Sequence, residues 1–299
     1  MKHLLFLGLC SLTLLSCAQQ TPVKSISSAS STSSQEVEEV DEAEDFCPNG
    51  YSLKWSEEFD GERLDTNVWT YETGNNHGWG NAELEYYTDH NETVSDGLLS
   101  IHAKKEDVQD GDTTYHYTSS RLVSRGKAHF TYGYMCARIR LPLGTGLWPA
   151  FWMMPETGYG TSGHTWWPTP GEIDIMEAKG RVRDNAAGAL HYSSNGTGGN
   201  HAFQAKDNYG FGNIDDFHVY AVDWNEEKIT WIYDGKPFFT VGKATWNAGY
   251  GGKGNDPFNK DFYFILNLAI GGNYDGGKAP EESFTFASMD VDFVRCYQK

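Results

Sequence analysis

No stretch of this chain sustains an apolar 3.6-residue period between helix caps, while short runs rich in β-branched and aromatic residues recur between Gly, Asn, Asp and Pro. Such runs read as strands, at 98–103, 132–141, 172–178, 217–225, 228–233, 236–241, 262–268 and 291–297. Glu226-Glu227 links two of them as a hairpin, and Asp234-Gly235 turns the chain into the next. Many antiparallel strands joined by loops of varied length must bury their apolar faces against one another. The expected fold is all-β: a two-sheet antiparallel β-sandwich of jelly-roll type, with helices short and few.

The first 45 residues stand apart. Lys2 precedes an apolar run, 4–15, of export-signal length and too short to span a bilayer comfortably. It ends in Leu14-Leu15-Ser16-Cys17, which resembles the box of bacterial lipoprotein signals. On that reading residues 1–16 are cleaved and Cys17 is lipidated; an ordinary signal with an incidental cysteine is the competing one. Residues 17–45 join a Ser-rich stretch to seven acids between Glu36 and Asp45. They carry too little apolar surface to offset chain entropy, as expected of a flexible tether. Residues 46–299 have the size of one sandwich domain.

A formal charge of −18 argues against nucleic acid or an anionic membrane surface as a partner. Membrane contact is expected only through the lipid, on an exported monomer held at the outer membrane or the periplasmic face of the envelope. Setting aside Cys10 and Cys17 leaves Cys47, Cys136 and Cys296. Cys136 and Cys296 both fall in strand-like segments, and either pair in an oxidising compartment or stay as two buried thiols. No CxxC or His/Cys cluster suggests zinc.

The segment Gly171-Glu172-Ile173-Asp174-Ile175-Met176-Glu177-Ala178 carries the chemistry. Strict alternation puts Glu172 and Asp174 on one face and the isoleucines on the other, which would send Glu177 into the core, where a carboxylate is costly. One extra residue at Ile175–Met176, a β-bulge, returns Glu177 to the polar face. Glu172 and Glu177 are then roughly 13 Å apart along the backbone, and inward-leaning side chains close much of that gap. Paired carboxyl groups about 5–5.5 Å apart suit retaining cleavage of a glycosidic bond. Asp174 between them offers a means of splitting their pKa values. A solvated acidic face, or a metal site, is the bland alternative for such a motif.

This segment closely resembles the catalytic strand of glycoside hydrolase family 16, in its bulged form with Met176. The resemblance extends over residues 51–299. Trp55-Ser56-Glu57-Glu58-Phe59-Asp60-Gly61 looks like the family's opening strand. Three further runs are similar to its laminarinase branch: Gly80-Asn81-Ala82-Glu83-Leu84-Glu85-Tyr86-Tyr87-Thr88, Gly146-Leu147-Trp148-Pro149-Ala150-Phe151-Trp152-Met153 and Asn267-Leu268-Ala269-Ile270-Gly271-Gly272. The resemblance implies a concanavalin A-like sandwich with a concave cleft, Glu172 as nucleophile, Glu177 as acid/base and Asp174 as their assistant. It makes 46–299 a catalytic domain that needs no cofactor for its chemistry.

A polysaccharide cleft needs aromatic platforms and polar groups. Trp148 and Trp152, four apart in a strand-like run, and Trp167, beside Trp166 in a Pro/Gly-rich loop, are the expected platforms. His191 is expected to meet substrate or Asp174, and Asn267, an amide in an apolar strand, to meet a sugar hydroxyl. Glu83, Asn81 and Arg121 are weaker subsite candidates that also fit as loop and salt-bridge residues. The resemblance further implies a structural Ca²⁺ held by the carbonyls of Glu58 and Gly97 and the carboxylate of Asp292. Asn91-Glu92-Thr93 and Asn195-Gly196-Thr197 match glycosylation sequons, without use in a bacterial lipoprotein.

The expected activity is retaining endo-hydrolysis of β-1,3-glucosidic bonds in laminarin-type glucans. Mixed-linkage β-1,3-1,4-glucan, or a marine galactan of the agar or carrageenan type, is the alternative substrate. Loops 74–80, 157–170 and 195–212 are expected to make that choice. A non-catalytic glycan-binding module is the reading from another class.

Overall fold

Strand pairing organises nearly everything that the computed structural model describes, residues 47–157, 166–196, 200–250 and 255–299. The export signal, Cys17 and the tether lie outside the described residues, as do residues 158–165 of the loop expected at 157–170.

Two sheets form the sandwich. In the first, the strands run in the order Lys236–Gly242, Lys228–Tyr233, His218–Trp224, Gly133–Arg140, Phe286–Gln298, Leu98–Lys104, Thr118–Ser119 and Tyr86–Tyr87. In the second the order is His201–Tyr209, Asn185–Ser193, Glu172–Glu177, Leu147–Pro155, Phe262–Ile270, Arg121–Val123 and Thr70–Tyr71. Pairing is antiparallel throughout except for the short contact of Tyr86–Tyr87 with Thr118–Ser119. Helix is confined, among the described residues, to Lys243–Asn247 and three single turns. The expected sandwich is the observed one.

The core lies between the sheets and is built from alternate positions. Phe151, Met153, Ile173, Leu190, Phe264, Leu266 and Leu268 of the second sheet meet Met135, Ala137, Val222, Trp231 and Val291 of the first, all buried. Asp234 and Gly235 both take positive φ, 47° and 71°, which is the backbone a two-residue hairpin needs between Tyr233 and its partner Lys236.

The structure decides between the two cysteine readings in favour of buried thiols, and it corrects one expected loop. Cys136 and Cys296 are both buried and both free. Cys136 pairs in register with Arg295, so its side chain points to the opposite face of the sheet from Cys296. Cys296 packs between the sheets and Cys136 in a cluster with Tyr134, Val219 and Phe293. No backbone adjustment short of refolding joins them. The correction concerns 195–212, expected as a loop: His201–Tyr209 is the edge strand of the second sheet. Its pattern hides in the sequence because an edge strand exposes most of its side chains, leaving no apolar alternation to read.

Candidate active site

The carboxylate strand Glu172–Glu177 is bulged where the apolar pattern requires it. Asp174 pairs with Trp152 and Met176 with Phe151, so Ile175 is the extra residue. Ile175 and Met176 are fully buried in the core, worth roughly 1.5–3 kcal/mol each. The cost of the bulge is an interrupted ladder, which leaves the carbonyls of residues 174 and 175 to be satisfied elsewhere. The opposite sheet satisfies them. Trp231 Nε1 donates to the Asp174 carbonyl at 2.7 Å, and the Tyr233 hydroxyl contacts the Ile175 and Ala187 carbonyls at 3.0 and 2.9 Å. Gly188 leaves room for this: a Cβ there would lie 2.2 Å from the Trp231 ring.

Residues directly opposite one another on paired strands share a face. Glu172, Asp174 and Glu177 stand opposite His191, Ala189 and Ala187. Those three alternate along their own strand, so all three acids share one face. On the other side Asp174 and Glu177 face Trp152 and Ala150, with Trp148 two residues on. Asn267 and Arg121 continue the same face on the next strands. Glu177 is flanked by alanine on both sides, the smallest neighbours along the row.

Indole N–H groups hold the two outer acids. Trp167 Nε1 donates to Glu172 at 2.8 Å and Trp148 Nε1 to Glu177 at 3.0 Å. His191 Nε2 lies 3.1 Å from Asp174 Oδ2 and 3.9 Å from Glu172. Burial pushes Glu172 up to about 8, helped by the Asp174 charge and opposed by His191, the Trp167 N–H and Arg121. Burial likewise raises Asp174 and Glu177. Glu177 feels two neighbouring carboxyl groups, Asp174 and Glu172, whereas Glu172 feels only Asp174 among its main causes. All three carboxyl groups are thus held toward the protonated form, and an ionised carboxylate in this group has to be balanced by protons on its neighbours. A protonated and an ionised carboxyl group on one face can run a double displacement at a glycosidic carbon.

Comparison with known proteins agrees with this geometry. The model for glycosyl hydrolases family 16 matches residues 78–259. The chain belongs to that family. The family 16 chain is 40% identical over 84% of its length to glucan endo-1,3-beta-glucosidase A1 of Niallia circulans, of which it spans 38%. It is 38% identical over 83% of its length to a beta-glucanase of Rhodothermus marinus, of which it spans 85%. Its fold superposes on the laminarinase catalytic domain of Thermotoga maritima with a TM-score of 0.74 at 38% identity, covering 83% of this chain and 98% of that one.

The remaining predicted residues of the family 16 domain divide into two groups. Trp148 stacks on Tyr274 at 5.0 Å, Trp167 is exposed while bonded to Glu172, and Trp166 is exposed beside it in sequence. The second group serves as struts. Asn267 is buried, and its amide accepts from Trp152 Nε1 at 2.8 Å and donates to the Tyr87 hydroxyl at 3.0 Å. Arg121 lies between the rings of Trp79 and Trp152, 4.6 and 4.8 Å from their centres, and donates to Glu72 at 2.6 Å. Glu83 is buried and receives Asn81 and Tyr87. Arg121 thus follows the salt-bridge reading.

The calcium donors fare differently. The Asp292 carboxylate accepts from Arg138 at 2.6 Å, and the Glu58 side chain is held by Arg295. The Arg138 bond uses Oδ2 of Asp292 alone, and the hard oxygens that the resemblance assigns to calcium are that carboxylate with the main-chain carbonyls of Glu58 and Gly97. Among the described residues the one tight grouping of His, Cys, Asp and Glu donors is Glu172, Asp174 and His191, which are the acid–base partners themselves. Asn91 of the first sequon is fully buried and bonded to Thr118.

Tyr274, Trp231, Tyr233, Gly188, His201 and Phe203 were not singled out by sequence reasoning. Tyr274 alone had a nearby signal, since it follows the run Gly271-Gly272.

Proposed function

We propose that this chain hydrolyses internal β-1,3-glucosidic bonds of laminarin-type β-glucans with retention at the anomeric carbon. The observation that carries the reading is the bulge at Ile175, which sets Glu172 and Glu177 on one face with a charge and a proton to divide between them. The family relatives named for endo-1,3-glucanase and laminarinase activity support the substrate class.

In the first step the Glu172 carboxylate attacks the anomeric carbon. Glu177 passes its proton to the departing glycosidic oxygen, and a glycosyl ester on Glu172 results. In the second step Glu177, now ionised, takes a proton from water, and the hydroxide so formed displaces Glu172 from the same carbon. Two inversions give net retention. Asp174 and His191 hold the charge balance of the pair, and Trp148, Trp152 and Trp167 offer ring faces to the sugars.

Wild-type protein is expected to release reducing ends from laminarin, and Glu172→Gln to release none. A panel of laminarin, lichenan, agarose and carrageenan tests the substrate. Faster cleavage of any other member than of laminarin sinks the 1,3-glucan assignment, and binding without cleavage of all four leaves a glycan-binding module.

We also infer that Cys17 is lipidated and that residues 18–45 suspend the domain, a monomer, from the cell envelope. Leu14-Leu15-Ser16 before that cysteine supports this. Labelled palmitate should enter the wild type and not Cys17→Ala; equal labelling refutes it.

A further inference from the structure

A row of rings runs from solvent to the buried acid. His191 Nδ1 lies 2.8 Å from His201 Nε2, with ring centres 5.0 Å apart and planes within 18°. Nearly coplanar rings at that spacing describe an in-line N–H···N hydrogen bond. His191 Nε2, the other nitrogen, lies 3.1 Å from Asp174 Oδ2, a buried oxygen that no aligned donor reaches among the described residues. His201 is itself held between rings, 4.5 Å from Trp167 and 5.6 Å from Phe203. Phe203 also stacks on His191 at 5.7 Å. The charged and titratable groups facing this pair are Glu172, Asp174 and Glu177 from the carboxylate strand, with Arg121 beyond them. Trp167 and Phe203, packed against it from the loop and the edge strand, are uncharged.

A hydrogen bond between two imidazoles holds one proton, so each ring dictates the other's state. With Asp174 ionised, His191 must present Nε2–H to it. Nδ1 is then bare and needs a donor, which among the described residues His201 Nε2–H supplies. The opposite neutral tautomer would turn a nitrogen lone pair on a carboxylate. We propose that His201 is a positioning residue for the acid–base group: by bonding Nδ1 of His191 it fixes the tautomer that sets an N–H, and not a lone pair, beside Asp174. It touches no reacting atom and acts through His191 alone. The rings of Trp167 and Phe203 both pack against this exposed histidine of the edge strand and restrict its plane. His191 favours the ionised form of Glu172, so losing its orientation moves the proton balance of the whole group toward higher pH.

The inference rests on the hydrolytic reading given above, and two variants test it separately from that reading. His201→Phe keeps a ring between Trp167 and Phe203 but removes the nitrogen. His201→Gln restores an amide N–H within reach of Nδ1. On laminarin, His201→Phe is expected to lower kcat about 3- to 10-fold near neutral pH with KM unchanged, one orienting hydrogen bond being worth about that much. The acidic limb of its pH profile should rise, and His201→Gln should bring both back. In the free enzyme, ¹⁵N spectra of labelled histidine should show His191 as a single Nε2–H tautomer in wild type and as a mixture in His201→Phe. The spectra need no substrate, so they decide the tautomer even if laminarin is the wrong polymer. An unaltered pH profile and an unmixed tautomer in His201→Phe overturn the proposal. A rise in KM alone also overturns it, and would make His201 a sugar platform.

Discussion

The indole N–H of Trp231 reaches across the sandwich to the main-chain carbonyl of Asp174, at 2.7 Å. A residue of the opposite sheet therefore closes the bulge that returns Glu177 to the side of Glu172, with Tyr233 capping the next carbonyl. The core is part of the catalytic geometry.

Trp231→Phe keeps an aromatic ring and removes that donor, leaving a buried carbonyl unsatisfied at a cost of about 1–3 kcal/mol. Tyr233→Phe does the same at Ile175 and Ala187. Each is expected to lose about 10-fold in kcat on laminarin with KM little changed, because the bulge relaxes while the ring platforms stay. Steady-state kinetics on folded protein checks this; equal kcat in both variants and wild type would mean that the bulge holds itself.

Raised carboxyl pKa values make stability depend on pH with a definite sign. A carboxyl group held above its unfolded value near 4.5 costs nothing in acid. It costs increasing stability as pH climbs through the window from about 4.5 to about 8, because the unfolded chain ionises first. Glu172→Gln should thus melt higher than wild type at pH 8, by about 2–4 °C if the gain is about 1 kcal/mol, and alike at pH 4. Thermal melts at the two values test it, and a variant less stable at pH 8 contradicts it.

Trp148→Phe removes the indole donor that favours the ionised form of Glu177. Its alkaline limb should move to higher pH while the stack on Tyr274 persists. The pH dependence of kcat/KM measures this, and a limb displaced downward counts against Glu177 as the acid.

Glu177→Ala should lose turnover on laminarin by about 10²-fold or more, as loss of a general acid does. It should regain rate with azide on an activated aryl glycoside, giving a β-glycosyl azide. Product analysis decides; unchanged activity, or rescue yielding only free sugar, removes Glu177 from its role.

The bulge was legible because its signal is chemical: two apolar residues in succession between acids leave one consistent arrangement. Trp148, Trp152 and His191 could be placed by their distance from those acids along strands that alternate cleanly. Asn267 and Arg121 could not be resolved between sugar and strut, since their partners Tyr87, Trp79 and Glu72 come from distant loops. The disulfide alternative failed on a one-residue difference in register, which flips a side chain through the sheet. Trp231, Tyr233 and Gly188 stayed invisible because their work is done through main-chain carbonyls and empty space, neither of which has a residue-type signature.

The strand carrying His201 and Phe203 has a neighbour on only one side. Replacing side chains on its exposed rim disturbs little packing, so most such changes cost no more than about 0.5 kcal/mol. The glutamates, by contrast, sit on a strand gripped from both flanks and from behind. Apart from His201 and Phe203, whose rings reach back to His191, the outer bank of the channel can therefore be reworked at little energetic cost while the glutamates keep their places.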